Sequence, residues 1–289
     1  MRNTIASCII EVAKKDSNAF LISGDAGLGV WDDFKEECKE QYINPGINEA
    51  LCVSMASGLA MQGKKVIYYN IAPFVIMRPY EQVRIDICYQ ELPVILVGTG
   101  SGLTYMPSGM THYALEDIGL ALSMPNLDIF SPCDPLEAKA CFYYAYYSNK
   151  PSYIRIPKAG EKNLHKSEIL DVSQIQFLLQ NNSEVLILSH SSIAQEALKA
   201  GEILKCDVAT KPFINSFEFD LETYRYIFVV EEHFSYGGLG TFLKNYTNAN
   251  IEILAVSNKY VHLIGNCEYG RAHFGIDSNG IVKFIKERL

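Results

Sequence analysis

Positive charge is scarce in this chain. Lys and Arg number 25 against 33 Asp and Glu, a formal net charge of -8 over 289 residues. No basic stripe breaks that balance, so nucleic acid and anionic membrane surfaces are not expected as partners. Paired cysteine motifs are missing too. The eight cysteines stand at 8, 38, 52, 88, 133, 141, 206 and 267, none in a C-x-x-C pair and most inside apolar segments. They read as reduced core residues of a cytoplasmic protein, and no zinc site is expected. Long apolar runs are also absent. The N-terminal one stops at Glu11, Lys14 and Lys15, which does not read as a signal peptide, and no later one reaches membrane-spanning length. Neither a short-period repeat nor a low-complexity tract appears. Gly237-Gly238-x-Gly240 follows an apolar run but lacks the G-x-G-x-x-G spacing of a dinucleotide site.

What is present is globular: 48% hydrophobic and 20% charged, in a length that suits two domains. Thr4 to Lys15 reads as a helix with Ile5, Ile9 and Val12 inward. Phe20 to Ser23 reads as a buried strand ending in the turn Gly24-Asp25-Ala26-Gly27-Leu28-Gly29. Pro45 and Gly46 punctuate a loop, and a helix follows Asn48 with Leu51, Met55 and Leu59 on one stripe. Strands are predicted at 66–69, 93–98, 127–130 and 153–156, with helices at 80–88, 116–122 and 135–147 between them. Continuously apolar strands alternating with helices predict a parallel sheet covered on both faces. Ligands of such sheets gather at the carboxyl ends of the strands, here Asp25, the loop from Gly98, and Arg155. A charged, polar connector at 158–182 carries a short apolar patch. A second α/β unit follows, with strands at 185–188, 226–230 and 251–256 and helices at 194–205 and 281–288.

Several residues in this layout have two readings. Glu49 lies in the first turn of its helix, where the dipole favours an anion, and is otherwise aimed at a ligand. Phe74 reads equally as a core aromatic. His112, in a Gly/Ser/Thr loop at a strand's carboxyl end, reads as a surface residue or as a substrate contact. Arg2 and Arg155 read as partners of surface carboxylates. His233, after Glu231-Glu232 and a buried strand, reads as structural and interdomain.

Four stretches together resemble the central and C-terminal domains of transketolase-like, thiamine diphosphate-dependent enzymes, over nearly the whole chain. Gly46-Ile47-Asn48-Glu49 and its small-residue helix resemble the segment that bears the family's cofactor-activating glutamate. Pro73-Phe74-x-x-x-Arg78-x-Tyr80-Glu81-Gln82-Val83-Arg84 resembles the family's Phe…Arg-Ala-Tyr/Phe-Asp-Gln-Ile/Val element. Gly109-Met110-Thr111-His112, followed by Glu116-Asp117, resembles its Gly-x-Thr-His loop. Glu231-Glu232-His233 with Gly237-Gly238-Leu239-Gly240 resembles the C-terminal domain signature. The fold this implies is α/β in two domains, each a mostly parallel sheet flanked by helices. These are a pyrimidine-binding domain over 1–160, a linker over 161–182 and a transketolase C-terminal domain over 183–289.

By resemblance, Glu49 activates the aminopyrimidine, Phe74 stacks on it, and Arg78 and Asp25 join the cofactor site. His112 faces substrate oxygens, and Arg155, Arg2 and Ser108 join it on the substrate. Two departures accompany the match. Gly-Asp-Gly with a downstream Asn, the diphosphate and metal motif, is missing; Gly24-Asp25-Ala26 is the near match, on another element. Gly100 and Ser108 stand where transketolases carry a histidine and an aspartate for sugar-phosphate donors. The chain is therefore expected to be the C-terminal subunit of a split transketolase, transferring a two-carbon ketol unit from a ketose-type donor to an aldehyde acceptor. It is read as starting too close to its first helix to hold another domain upstream. An N-terminal subunit would supply the ligands of the diphosphate and Mg2+, in an assembly with two copies of each chain. Two alternatives stay open: the beta subunit of a 2-oxoacid dehydrogenase or decarboxylase, and a non-catalytic scaffold.

Overall fold

In the computed structural model, which describes all residues except 159, 219 and 220, the chain builds two sheets in sequence. Helix α1 (Arg2–Lys15) buries Ile5, Ile9 and Val12 and ends on Lys14 and Lys15, which suit the negative end of its dipole. There follow β1 (Ala19–Ile22), α2 (Asp32–Glu37), β2 (Tyr42–Ile43), α3 (Glu49–Met61), β3 (Lys65–Ile71) and α4 (Ala72–Ile76). A short α5 (Tyr80–Gln82) runs on as a π-helical stretch, Val83–Cys88. Next come β4 (Val94–Thr99), α6 (Asp117–Leu122), β5 (Asp128–Phe130), α7 (Pro135–Ser148) and β6 (Ser152–Ile156). These strands pair in the order β2-β1-β3-β4-β6-β5, every pairing parallel.

The second sheet holds β7 (Gln176–Leu179), β8 (Val185–Ser189), β9 (Asp207–Thr210), β10 (Tyr226–Phe234) and β11 (Ile251–Val256). Its helices are α8 (Ala194–Leu204), α9 (Leu239–Lys244), α10 (Cys267–Phe274) and α11 (Ser278–Lys286). The order is β11-β10-β8-β9-β7, parallel except for β7, which runs antiparallel to β9. The expected linker at 161–182 is corrected here: its short apolar patch, Gln176–Leu179, is the edge strand of the second sheet. One apolar core runs through both halves, from Val53, Tyr68 and Leu96 beside the first sheet to Leu186, Val229 and Leu239 beside the second. Among the described residues, no helix is long and apolar enough to cross a membrane.

The seam between the halves is polar as well as apolar. Arg155 on β6 is fully buried and donates to Asp117 through Nε at 2.7 Å and Nη2 at 3.2 Å. It also donates to the Ala114 carbonyl at 3.0 Å and to Ser131 Oγ at 3.3 Å, while Tyr153 O–H donates to Asp117 at 2.8 Å. The sequence expectation that Arg155 meets a substrate phosphate is thus corrected. Its donors are spent inside the protein, because a buried guanidinium must be paired. Ser131 Oγ continues the chain to His190 Nδ1 at 2.8 Å, and His190 Nε2 faces Glu231 at 3.5 Å. His233 is buried with Nε2 3.9 Å from Asp117, in the interdomain position expected of it. Gly237, at φ +72°, lies against Gly119 on α6; a Cβ there would come within 2.7 Å of the Gly119 Cα.

Arg155→Met strands the Asp117 carboxylate in the interior and is expected to cost about 3–5 kcal/mol. Arg155→Met combined with Asp117→Asn should recover part of that loss. Urea unfolding of the single and double variants checks both; a loss below about 1 kcal/mol for the single variant contradicts the assignment.

Candidate active site

The loop before α3 sets the first wall. Gly46 takes φ +79°, and its carbonyl lies against Gly24 in the turn after β1. Asn48 then caps α3, its side chain accepting from the Leu51 N–H at 3.1 Å. Glu49 is therefore the first helical residue, at the positive end of a 13-residue helix. Small residues on α3 let the π-helical stretch come close: Ser57 Oγ donates to the Asp86 carbonyl at 2.9 Å and Ser54 Oγ to the Asp86 carboxylate at 2.7 Å.

The second wall grows from the carboxyl end of β3. Pro73 opens α4, where its missing N–H costs nothing, and Phe74 and Arg78 follow. The Arg78 guanidinium lies 3.8 Å from the Phe74 ring centroid and donates Nη1–H to Glu49 Oε1 at 2.7 Å. Glu49 retains 12% side-chain exposure and Arg78 51%. A flat group bearing N–H donors thus rests on the face of Phe74 and bonds to Glu49. The pair fits any planar nitrogen heterocycle that stacks and donates in the same way.

The loop after β4 makes the third wall. Gly100 takes φ +91°, and the Tyr105 ring packs where its side chain would be, so a Cβ at 100 would overlap that ring. The next turns bring His112 to 5.3 Å from the Phe74 ring and 6.2 Å from the Tyr105 ring. Thr111 Oγ1 lies 2.9 Å from His112 Nδ1. Burial, and then the nearby Arg78 charge, hold His112 below the ordinary histidine range, so it is neutral at pH 7. A neutral imidazole there can accept or donate one proton as substrate requires.

Glu49, Phe74, Arg78 and His112 are accordingly brought together. Ser108 is exposed at the end of the turn Met106–Ser108 in the same loop. Asp25 is exposed on the turn after β1, and among the described residues no hydrogen bond or ion pair joins it to the cluster. Arg2 begins α1, with Nε 3.5 Å from Asn3 Oδ1. Two residues were missed from sequence. Tyr105 walls the cleft, and Lys158, beyond β6, holds its ammonium 5.7 Å from the Tyr105 ring centroid. An aromatic in a glycine-rich loop after a buried strand was the available signal for the first.

Comparison with known proteins adds to this geometry. Residues 1–161 match the family described as "Transketolase, pyrimidine binding domain". One of the two subunits of an apulose-4-phosphate transketolase from Phocaeicola vulgatus is 27% identical over 99% of this chain and 96% of its own length. A putative transketolase C-terminal section from Methanocaldococcus jannaschii is 28% identical over 100% of this chain and 96% of its own. A solved structure described as a split gene transketolase, inactive beta4 tetramer, superposes with a TM-score of 0.84 at 21% identity, over 99% of this chain and 96% of that one.

Titration of His112 followed by NMR should give a midpoint below the usual value of about 6.5. Arg78→Met should raise it, since removing a neighbouring positive charge eases protonation. A midpoint that ignores Arg78 would separate the two side chains.

Proposed function

The chain belongs to the transketolase family, matched through its pyrimidine-binding domain over residues 1–161, and from that premise we propose that it is the C-terminal subunit of a split, thiamine diphosphate-dependent transketolase. It moves a two-carbon ketol unit from a ketose-type donor to an aldehyde acceptor. The observation that carries the reading is the Arg78 guanidinium stacked on Phe74 and bonded to Glu49. The aminopyrimidine of the cofactor has the same shape and the same donor, and fits once Arg78 swings outward. Arg78 is half exposed, and an exposed ion pair of this kind is worth only about 0–1 kcal/mol, so the exchange is inexpensive.

Thiamine diphosphate supplies the carbanion chemistry at its thiazolium ring. This chain's part is to hold the pyrimidine and set its proton. Glu49 shares a proton with the ring nitrogen, Phe74 fixes the ring plane, and Arg78, released from Glu49, turns toward the cleft mouth. His112 donates to, or takes a proton from, a substrate oxygen. The diphosphate and Mg2+ belong to an N-terminal subunit carrying Gly-Asp-Gly and a downstream Asn, since this sequence has no such motif. Two copies of each chain complete the clefts in the simplest symmetric assembly. Free thiols at all eight cysteines suit a cytoplasmic enzyme of carbohydrate metabolism. The relative named for apulose-4-phosphate supports a sugar phosphate as substrate. Gly100 and Ser108 argue against the ordinary pentose and hexose phosphates as donors, because sites discriminate strongly by the polar groups they keep or lose.

In the reconstituted complex, Glu49→Gln should lower turnover by roughly 10²-fold or more while the fold persists. Turnover near that of the unaltered complex would remove Glu49 from the activating role. A second measurement addresses the partner. Calorimetric titration of thiamine diphosphate and magnesium into this chain alone should show no micromolar binding, and adding the N-terminal subunit should restore it. Binding and ketol transfer by the chain alone would end the split-enzyme reading.

A further inference from the structure

Away from the cleft, at the seam of the two sheets, Cys133, Glu137 and His165 converge. One potential ligand atom from each lies within 4.8 Å of the others. They come from different places. Cys133 follows β5, Glu137 stands in the first turn of α7, and His165 belongs to the polar segment leading to the second sheet. Cys133 and Glu137 are buried, and the His165 side chain is only 7% exposed.

Asp134 sets the imidazole. Its Oδ2 accepts from the His165 backbone N–H at 2.9 Å and lies 3.1 Å from His165 Nδ1. A carboxylate at Nδ1 keeps the ring proton there and leaves the Nε2 lone pair facing inward, the arrangement by which a second carboxylate orients a metal-binding histidine. His165 Nε2 is buried with no hydrogen-bond partner among the described residues, and it faces Glu137 Oε1 at 3.6 Å. The Glu137 carboxylate is fixed as well: Oε2 accepts from the Cys133 N–H at 2.7 Å and Oε1 from Thr210 Oγ1. Cys133 Sγ lies 3.9 Å from His165 Nδ1, on the same ring.

Two electron-rich atoms that face each other in the interior call for a positive charge between them. A shared proton would draw them toward about 2.7–2.9 Å. Two corners of a tetrahedral zinc site, with bonds near 2.0–2.2 Å, stand roughly 3.4 Å apart, close to the observed spacing. We propose that Cys133 Sγ, a Glu137 carboxylate oxygen and His165 Nε2 form a buried zinc-class site, with a solvent oxygen as fourth ligand.

The donor set selects the ion. Thiolate, imidazole and carboxylate together suit Zn2+, whereas Mg2+ requires six oxygens. On binding, the Cys133 S–H bond breaks, its proton passes to solvent, and the sulfur lone pair bonds to the ion, with no change of oxidation state. Burial, and then the charge of Glu137, push the Cys133 thiol well above its ordinary range. A bound cation reverses that balance. The site would tie α7 to the segment between the sheets and, through Thr210 on Glu137, to β9. The sequence expectation of no zinc rested on the missing C-x-x-C pairs. This site takes one cysteine, a glutamate four residues on, and a distant histidine, a pattern that expectation did not cover.

The test uses the full chain, dialysed against a chelator and titrated with zinc sulfate. One equivalent of zinc should bind by metal analysis, and the unfolding temperature should rise. Cobalt(II) in place of zinc should give the visible bands of a tetrahedral ion and a thiolate-to-cobalt charge-transfer band. Cys133→Ser and His165→Gln should lose both bands, and Cys267→Ser should keep them. The cobalt spectrum of the unaltered chain needs no variant to fold. No zinc uptake, or a cobalt spectrum without the thiolate band, overturns the proposal and leaves a proton shared between His165 and Glu137.

Discussion

Asp117 and Arg155 meet with neither side chain exposed, and much of the molecule is arranged so that they can. Burying two charges costs several kcal/mol per ion before any attraction is counted. The cost is offset only if every remaining donor and acceptor finds a partner. Here Arg155 has the Ala114 carbonyl and Ser131, and Asp117 has Tyr153. Those partners come from β6, the residue just after β5 and the loop before α6. The pair thereby fixes that loop relative to the sheet in a way that apolar contacts, being non-directional, do not.

The same constraint explains the second sheet's charged strand end. Glu231-Glu232-His233 lies on β10 with all three side chains buried. His233 faces Asp117. Glu231 accepts the Leu239 and Gly240 N–H groups at 2.8 and 3.1 Å, which serves the start of α9. Glu232 reaches the other way. It accepts from the Leu103 N–H at 2.7 Å and from Arg271 Nε at 2.5 Å. Gly102 packs on its carboxylate and pairs with Ala114 across the loop. The loop that carries His112 is therefore held at its base by Arg155 from one sheet and Glu232 from the other. A residue meant to hold an imidazole within a few tenths of an ångström needs that second layer of support.

Elements with long apolar patterns were legible in the sequence. The strand expected at 251–256 is β11, and the helix expected after Asn48 is α3. What the pattern does not carry is pairing. β2 has only two residues, and β9, Asp207-Val208-Ala209-Thr210, reads as small and polar because its partners, not its own side chains, define it. β7 sits in a charged connector for the same reason. Within the cleft, Glu49, Phe74, Arg78 and His112 were each legible from local motifs, while Arg155 was misread. A buried arginine and a phosphate-binding arginine are identical in sequence; only the distant Asp117 decides between them. Tyr105 was invisible for a related reason, since its role depends on a glycine at 100 that a motif comparison registers only as a missing histidine.

The two walls of the cleft differ in mechanical character. Glu49, Phe74 and Arg78 belong to elements of the first sheet alone, α3 and the end of β3. Their contacts are partly exposed, so the Glu49–Arg78 pair exchanges easily for a ligand. The His112 wall draws on the seam, where buried charges resist rearrangement. A cleft built this way receives a planar ring on its soft side and keeps its proton-handling group on its stiff side. That division follows from burial: an ion pair in water costs little to open, and one that has lost its water costs several kcal/mol. The reactants must adapt to His112, while Arg78 adapts to them.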